Sequence, residues 1–164
     1  MEKEQRWFQE KHFVEDVGLL LEEGGLPRMA GRILGWLLIC DPPHQSTQEL
    51  AETLQASKGS ISTMTRLLIQ LGVIERVALP GQRRDHFQIK PGGWSQMILR
   101  DIAEISNGYQ LAERGLQLLN GRPAELQARL KEARDLYAFL EREYPRLIEQ
   151  WEKERAKGSG KKRK

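Results

Sequence analysis

The chain has 164 residues and a mass of 18.9 kDa, room for one domain with a real core plus an appendage. Charged residues at 30% and aromatics at 7% describe a soluble, helix-rich protein, and a net charge of +3 with a pI near 9.1 favours a polyanionic partner. A single cysteine excludes an intramolecular disulfide framework, and the longest apolar run, Trp36 to Cys40, is far too short to span a bilayer.

Residues Glu2 to Glu23 pattern as an amphipathic helix, with Trp7, Phe13, Val14, Val17, Leu20 and Leu21 supplying apolar contacts. Glu22-Glu23-Gly24-Gly25 ends it, because glycine accepts the left-handed closing conformation. Pro27 opens a second helix through Met29, Ile33, Leu34, Trp36, Leu37 and Leu38. Gly31 and Gly35, four apart, allow close helix packing, and Asp41-Pro42-Pro43 stops the segment.

Ser46 with Glu49 forms a capping box at the start of a short helix whose inward face is Leu50, Ala51 and Leu54. A turn leads to a second helix, 57–71, started by the Ser57 hydroxyl. At about 100° per residue, Ile61, Met64, Leu67, Leu68 and Leu71 fall on one side, with Ser57 and Ser60 at its edge. Lys58, Gly59, Ser62, Thr63, Arg66 and Gln70 fall on the other. That outward face is cationic at both ends, hydroxyl-bearing between, and free of carboxylates, whereas an ordinary solvated face mixes both signs of charge. Short donors of this kind reach base edges in a major groove, and the cations meet phosphates. The candidate contacts are Lys58, Ser60, Ser62, Thr63 and Arg66.

A hairpin follows over 77–89. Val77 and Leu79 alternate before the Pro80-Gly81 turn, and Phe87 and Ile89 alternate after it. Arg83 and Arg84 at its tip are placed to follow a nucleic-acid backbone or to enter a narrow minor groove. Between Ser57 and Lys90 six basic side chains face two acidic ones, so a local charge of +4 exceeds the +3 of the whole chain. The segment reads as a winged helix-turn-helix.

After Pro91-Gly92-Gly93 a long helix runs to about Asn120, with Ile98, Ile102, Ile105, Tyr109, Ala112, Leu116 and Leu119 spaced alternately by four and three. Beyond the loop Asn120–Pro123 the spacing resumes through Leu126, Leu130, Ala133, Tyr137, Leu140, Tyr144, Leu147 and Trp151. Two heptad stripes imply a helical hairpin that also meets a second subunit, since one narrow hairpin buries its seam poorly alone. Pro145 predicts a kink or restart in the last helix. The lysine-rich residues 158–164 read as a disordered tail.

Catalytic signals are missing. His12, His44, His86 and Cys40 are scattered without ligand spacing, and Cys40 reads as a small buried apolar residue. No metal, no cofactor and no enzymatic activity is expected. Trp36, Trp94, Tyr109 and Tyr137 suit a core better than an aromatic cage for a cationic effector, so a small-molecule effector is left without assigned residues.

The runs F-V-E-D-V-G (13–18), G-L-P-R-M-A-G-R-I-L-G-W-L-L (25–38), S-K-G-S-I-S (57–62), L-G-V-I-E-R-V and G-Q-R-R-D-H-F together resemble the MarR superfamily of winged-helix regulators. They look most like its GbsR-like branch, typified by the repressor of glycine betaine synthesis genes. The resemblance covers about half the chain and implies a homodimeric transcription regulator that binds operator DNA. The usual wing of the superfamily carries Asp-x-Arg-Arg, whereas Gly81-Gln82-Arg83-Arg84 here precedes Asp85, so no role is carried over to Asp85.

The expected architecture is therefore mainly α: an N-terminal dimerisation helix (1–25), a winged helix-turn-helix with a two-stranded wing (26–92), a dimerising helical hairpin (93–157) and the tail. The expected function is repression of transcription by a cytoplasmic homodimer bound to double-stranded DNA, with no membrane association. A winged-helix protein-interaction scaffold is the alternative.

Overall fold

A computed structural model describes residues 2–82 and 84–160. Its elements are α1 (Glu2–Glu23), α2 (Arg28–Ile39), β1 (Gln45–Ser46), α3 (Thr47–Leu54), α4 (Lys58–Gln70), β2 (Ile74–Val77), β3 (His86–Ile89), α5 (Gly93–Leu118) and α6 (Ala124–Gly160). They form two compact units, Met1–Gln96 and Met97–Lys164.

In the first unit, α1 crosses α2 at the small residues. A Cβ on Gly31 would lie 2.7 Å from the Gly18 Cα, so only glycine permits this approach. Val14 is buried there, while Phe8, Phe13 and Leu20 stay exposed. The apolar contacts expected of Trp7, Phe13 and Leu20 are thus only partly made, because one narrow crossing covers a single stripe of a helix.

Below the crossing, Ile33, Leu34, Leu50, Ile61, Leu68, Val73 and Ile74 are almost completely shielded and form the core. The capping box at Ser46 and Glu49 is present, as is the Ser57 cap on the Ser60 amide. Thr65 joins the buried side of α4, its hydroxyl satisfied by donating to the Ser62 carbonyl at 3.2 Å.

The sheet has three antiparallel strands in the order β1-β3-β2, with Ile74 opposite Ile89 and Ser46 opposite His86. The hairpin expected from sequence is there, but its first strand is Ile74–Val77, so Leu79 lies in the loop. The two-stranded wing gains a third strand from Gln45–Ser46, too short to alternate and defined only by pairing with β3. Leu79 accepts from the Gln82 amide at 3.1 Å, closing the Pro80-Gly81 turn, and Gly81 takes a φ of +76°.

In the second unit, α5 and α6 form an antiparallel hairpin. Its rungs are Ser106 donating to Glu141, Gly108 under the ring of Tyr137, Arg134 Nη1 3.6 Å from Glu113, and Gly115 beneath Leu130. Ile105, Ala112 and Ile148 are buried. Of the kink or restart expected at Pro145, the restart does not occur: α6 continues through it as one helix. Proline removes one amide from a helix of 37 residues, and the flanking turns carry it across. The helix is described as far as Gly160, so it enters the segment expected to be a tail; residues 161–164 lie outside the described residues.

Candidate nucleic-acid interface

The outward face of α4 begins one residue after its cap. Lys58, Gly59, Ser62, Thr63 and Arg66 are exposed, and Ser60 is half-buried at the edge of the inward arc. Two of these side chains are partly engaged by their own helix. The Thr63 hydroxyl donates to the Gly59 carbonyl at 3.0 Å, leaving its oxygen free to accept, and Arg66 Nε donates to the Ser62 carbonyl at 3.2 Å. That second bond uses one of the five guanidinium N–H donors of an exposed side chain.

The wing lies beside the start of α3. Arg84 Nη1 donates to Gln48 Oε1 at 2.7 Å, and Gln48 Nε2 in turn donates to Glu52 Oε1 at 2.8 Å. Arg76 Nη1 stands 3.3 Å from Asp85 Oδ2, pairing the one carboxylate of the wing loop. Arg83, also expected to contact DNA, lies outside the described residues. Ser46, Thr47, Gln48, Lys58, Arg84 and Asp85 line a groove of about 270 Å³ where α3, α4 and the wing converge. Thr47 and Gln48 escape a reading of α4 and the wing alone, because their place in the groove depends on tertiary approach.

Beneath the wing, a buried ring fixes the main chain. His86 Nδ1 is 3.0 Å from the Arg84 carbonyl; a carbonyl only accepts, so Nδ1 carries the proton. His86 Nε2 points towards Glu49 Oε2 at 4.0 Å, and the His44 ring meets His86 edge-on with centroids 5.5 Å apart. The Ser46 backbone amide, then its hydroxyl, hold the Glu49 carboxyl below the ordinary glutamate range.

Elsewhere in the first unit, Trp7 and Trp36 meet edge-to-face, with centroids 6.0 Å apart, beside a cavity of about 210 Å³ between α1, α2 and the end of α3. Tyr137 instead covers Gly108 inside the C-terminal hairpin. Cys40 is buried, and burial pushes its thiol pKa up, which keeps it in the unreactive protonated form. Among the described residues no cluster of histidine, cysteine and carboxylates is arranged to hold a metal, and no helix is long and apolar enough to cross a membrane.

Comparison with known proteins agrees with this geometry. A family model described as MmpR5-like MarR family transcriptional regulator matches residues 92–154, and one described as MarR family matches residues 24–85. The chain is 46% identical over 129 residues to the HTH-type transcriptional regulator MmpR5 of Mycobacterium tuberculosis, across 79% of this chain and 78% of that protein. It is 28% identical over 89 residues to the HTH-type transcriptional repressor OpcR of Bacillus subtilis, across 54% of this chain and 48% of that protein. A solved structure described as a transcriptional regulator superposes with a TM-score of 0.76 at 41% identity, covering 88% of this chain and 99% of that one. With a helix-turn-helix, a wing and a relative of this identity and coverage, the chain belongs to the MarR family of DNA-binding transcriptional regulators.

Proposed function

We propose that this regulator is a homodimeric repressor whose α4 enters the major groove of operator DNA in each half-site. The observation that carries this reading is the outward face of α4: Lys58, Ser62, Thr63 and Arg66 are exposed together, and the face holds no carboxylate. Lys58, Ser60, Ser62, Thr63 and Arg66 make base and phosphate contacts, while Arg83 and Arg84 anchor the wing. The segments 1–25 and 93–157 hold two subunits so that their half-sites lie one helical turn, about 34–36 Å, apart. Residues 158–164 add non-specific affinity for DNA. Within the family, the runs at 13–18 and 25–38 support a GbsR-like branch, although the family model matching 92–154 is MmpR5-like. A small-molecule effector would sit in the cavity beside Trp7 and Trp36, where it presses on the end of α3.

The test is binding of the purified protein to its own upstream region and to random duplex across a salt series. Preferential binding with a steep negative salt slope is expected. Weak and equal binding to every genomic fragment offered would return the chain to a protein-interaction scaffold.

A further inference from the structure

Lys58 and Arg84 come from different elements, yet both line the groove between α3, α4 and the wing. Arg84 is held at both ends. Its carbonyl is fixed by His86, only 4% exposed, and its guanidinium by Gln48, itself tied to Glu52 on α3. A guanidinium carries five N–H donors; Gln48 takes one and orients the plane of the rest. Asp85, the carboxylate on the groove, is paired with Arg76 and does not compete for Arg84. A side chain drawn back towards α3 is poorly placed to thread a minor groove, but well placed to receive an anion beside Lys58.

We propose that Lys58 and Arg84 grip one and the same backbone phosphate, and that Gln48 is the positioning residue that sets Arg84 for it. The inference rests on the reading of α4 as the DNA-recognition helix. It changes the role of the wing arginine from reading a groove to fixing register, because phosphate contacts carry no base sequence. Preorganisation by Gln48 and His86 means that little side-chain entropy is lost when the phosphate arrives.

Full-length protein carrying Lys58→Ala, Arg84→Ala, Gln48→Ala, and the pairs Lys58→Ala/Arg84→Ala and Gln48→Ala/Arg84→Ala, is titrated on its upstream duplex and on random duplex at several salt concentrations. All three side chains are surface groups, and unchanged thermal midpoints confirm folding. The Lys58/Arg84 double variant should make the log–log salt slope shallower by about 0.9, one phosphate's worth, on both duplexes. Gln48→Ala should weaken the wild type several-fold and leave the Arg84→Ala protein unaffected. A double variant that loses about twice that slope means two separate phosphates and overturns the shared grip. Equal weakening by Gln48→Ala with or without Arg84 removes Gln48 as its positioner. A loss confined to A/T-rich operator DNA returns Arg84 to the minor groove. Wild-type protein that binds neither duplex overturns the DNA-binding role of α4, and the phosphate grip with it.

Discussion

In the unit Met1–Gln96, the helices after α1 find their apolar partners within the same chain, and Ile33, Leu34, Leu50, Ile61 and Leu68 are shielded from solvent. In Met97–Lys164, Leu111 at 63%, Leu118 at 85%, Leu147 at 62% and Trp151 at 53% remain exposed. The difference follows from geometry. Helices crossing at several angles, closed by a sheet, bury more than one face each, whereas two helices side by side bury one seam each. Leu111 and Leu118, seven apart, form a second stripe on α5 that the hairpin leaves uncovered. Leu130, which the heptad spacing places on the packing seam, covers Gly115 inside the hairpin. Past α1 the first unit is stabilised mainly by its own chain; the second unit, like the exposed face of α1, leaves apolar surface for a partner.

The largest effect is expected from charging exposed leucines on both α5 and α6. Leu118→Asp with Leu147→Asp should convert the protein to monomers in sedimentation velocity while the hairpin keeps its helical signal. Variants that still sediment as dimers would move the interface to the exposed face of α1. Next in size, Leu68→Ala in the first unit should cost about 2–5 kcal/mol of unfolding free energy in denaturant titration, the range for a fully buried leucine. An equal cost from Leu118→Ala in monomeric protein would erase the distinction between the units.

Smaller effects refine the picture. Gly108→Ala places a methyl group 2.6 Å from the Tyr137 ring and should destabilise the hairpin by about 1–3 kcal/mol, read as a lower thermal midpoint. No shift would mean that the ring swings aside freely. Ser46→Ala removes the cap of α3 and should cost about 0.5–2 kcal/mol. A carboxyl depressed in the folded state, as Glu49 is, contributes stability that is complete above its unfolded value, about 4.3, and is lost as pH falls through the folded value. Glu49 has a half-exposed side chain, so solvent screening keeps this contribution small. Wild-type protein should nevertheless lose more stability than Glu49→Gln on acidification below about pH 4; parallel acid profiles would remove Glu49 as the source.

Most of the elements were legible in the sequence because local chemistry decides them. The capping box, the Ser57 cap and the Pro80-Gly81 turn need only neighbours within a few residues, and each forms where its residues stand. The site was legible in part. Lys58, Ser62, Thr63 and Arg66 emerge on one exposed face because helical periodicity alone separates them from Ile61 and Leu68. Thr47 and Gln48 were not legible, since a glutamine on a short helix says nothing until an arginine 36 residues away is brought beside it.

The helices, their caps, the hairpin turn and the carboxylate-free face can be read from the residues alone, because periodicity and near-neighbour hydrogen bonds produce them. That Gln45–Ser46 joins the sheet, that Arg84 turns to α3 and that α6 continues through Pro145 emerges from the folded chain. The physical reason is common to the three. Each depends on a backbone edge, a side chain or a neighbouring turn that chain folding brings into place, and short-range spacing does not encode that approach.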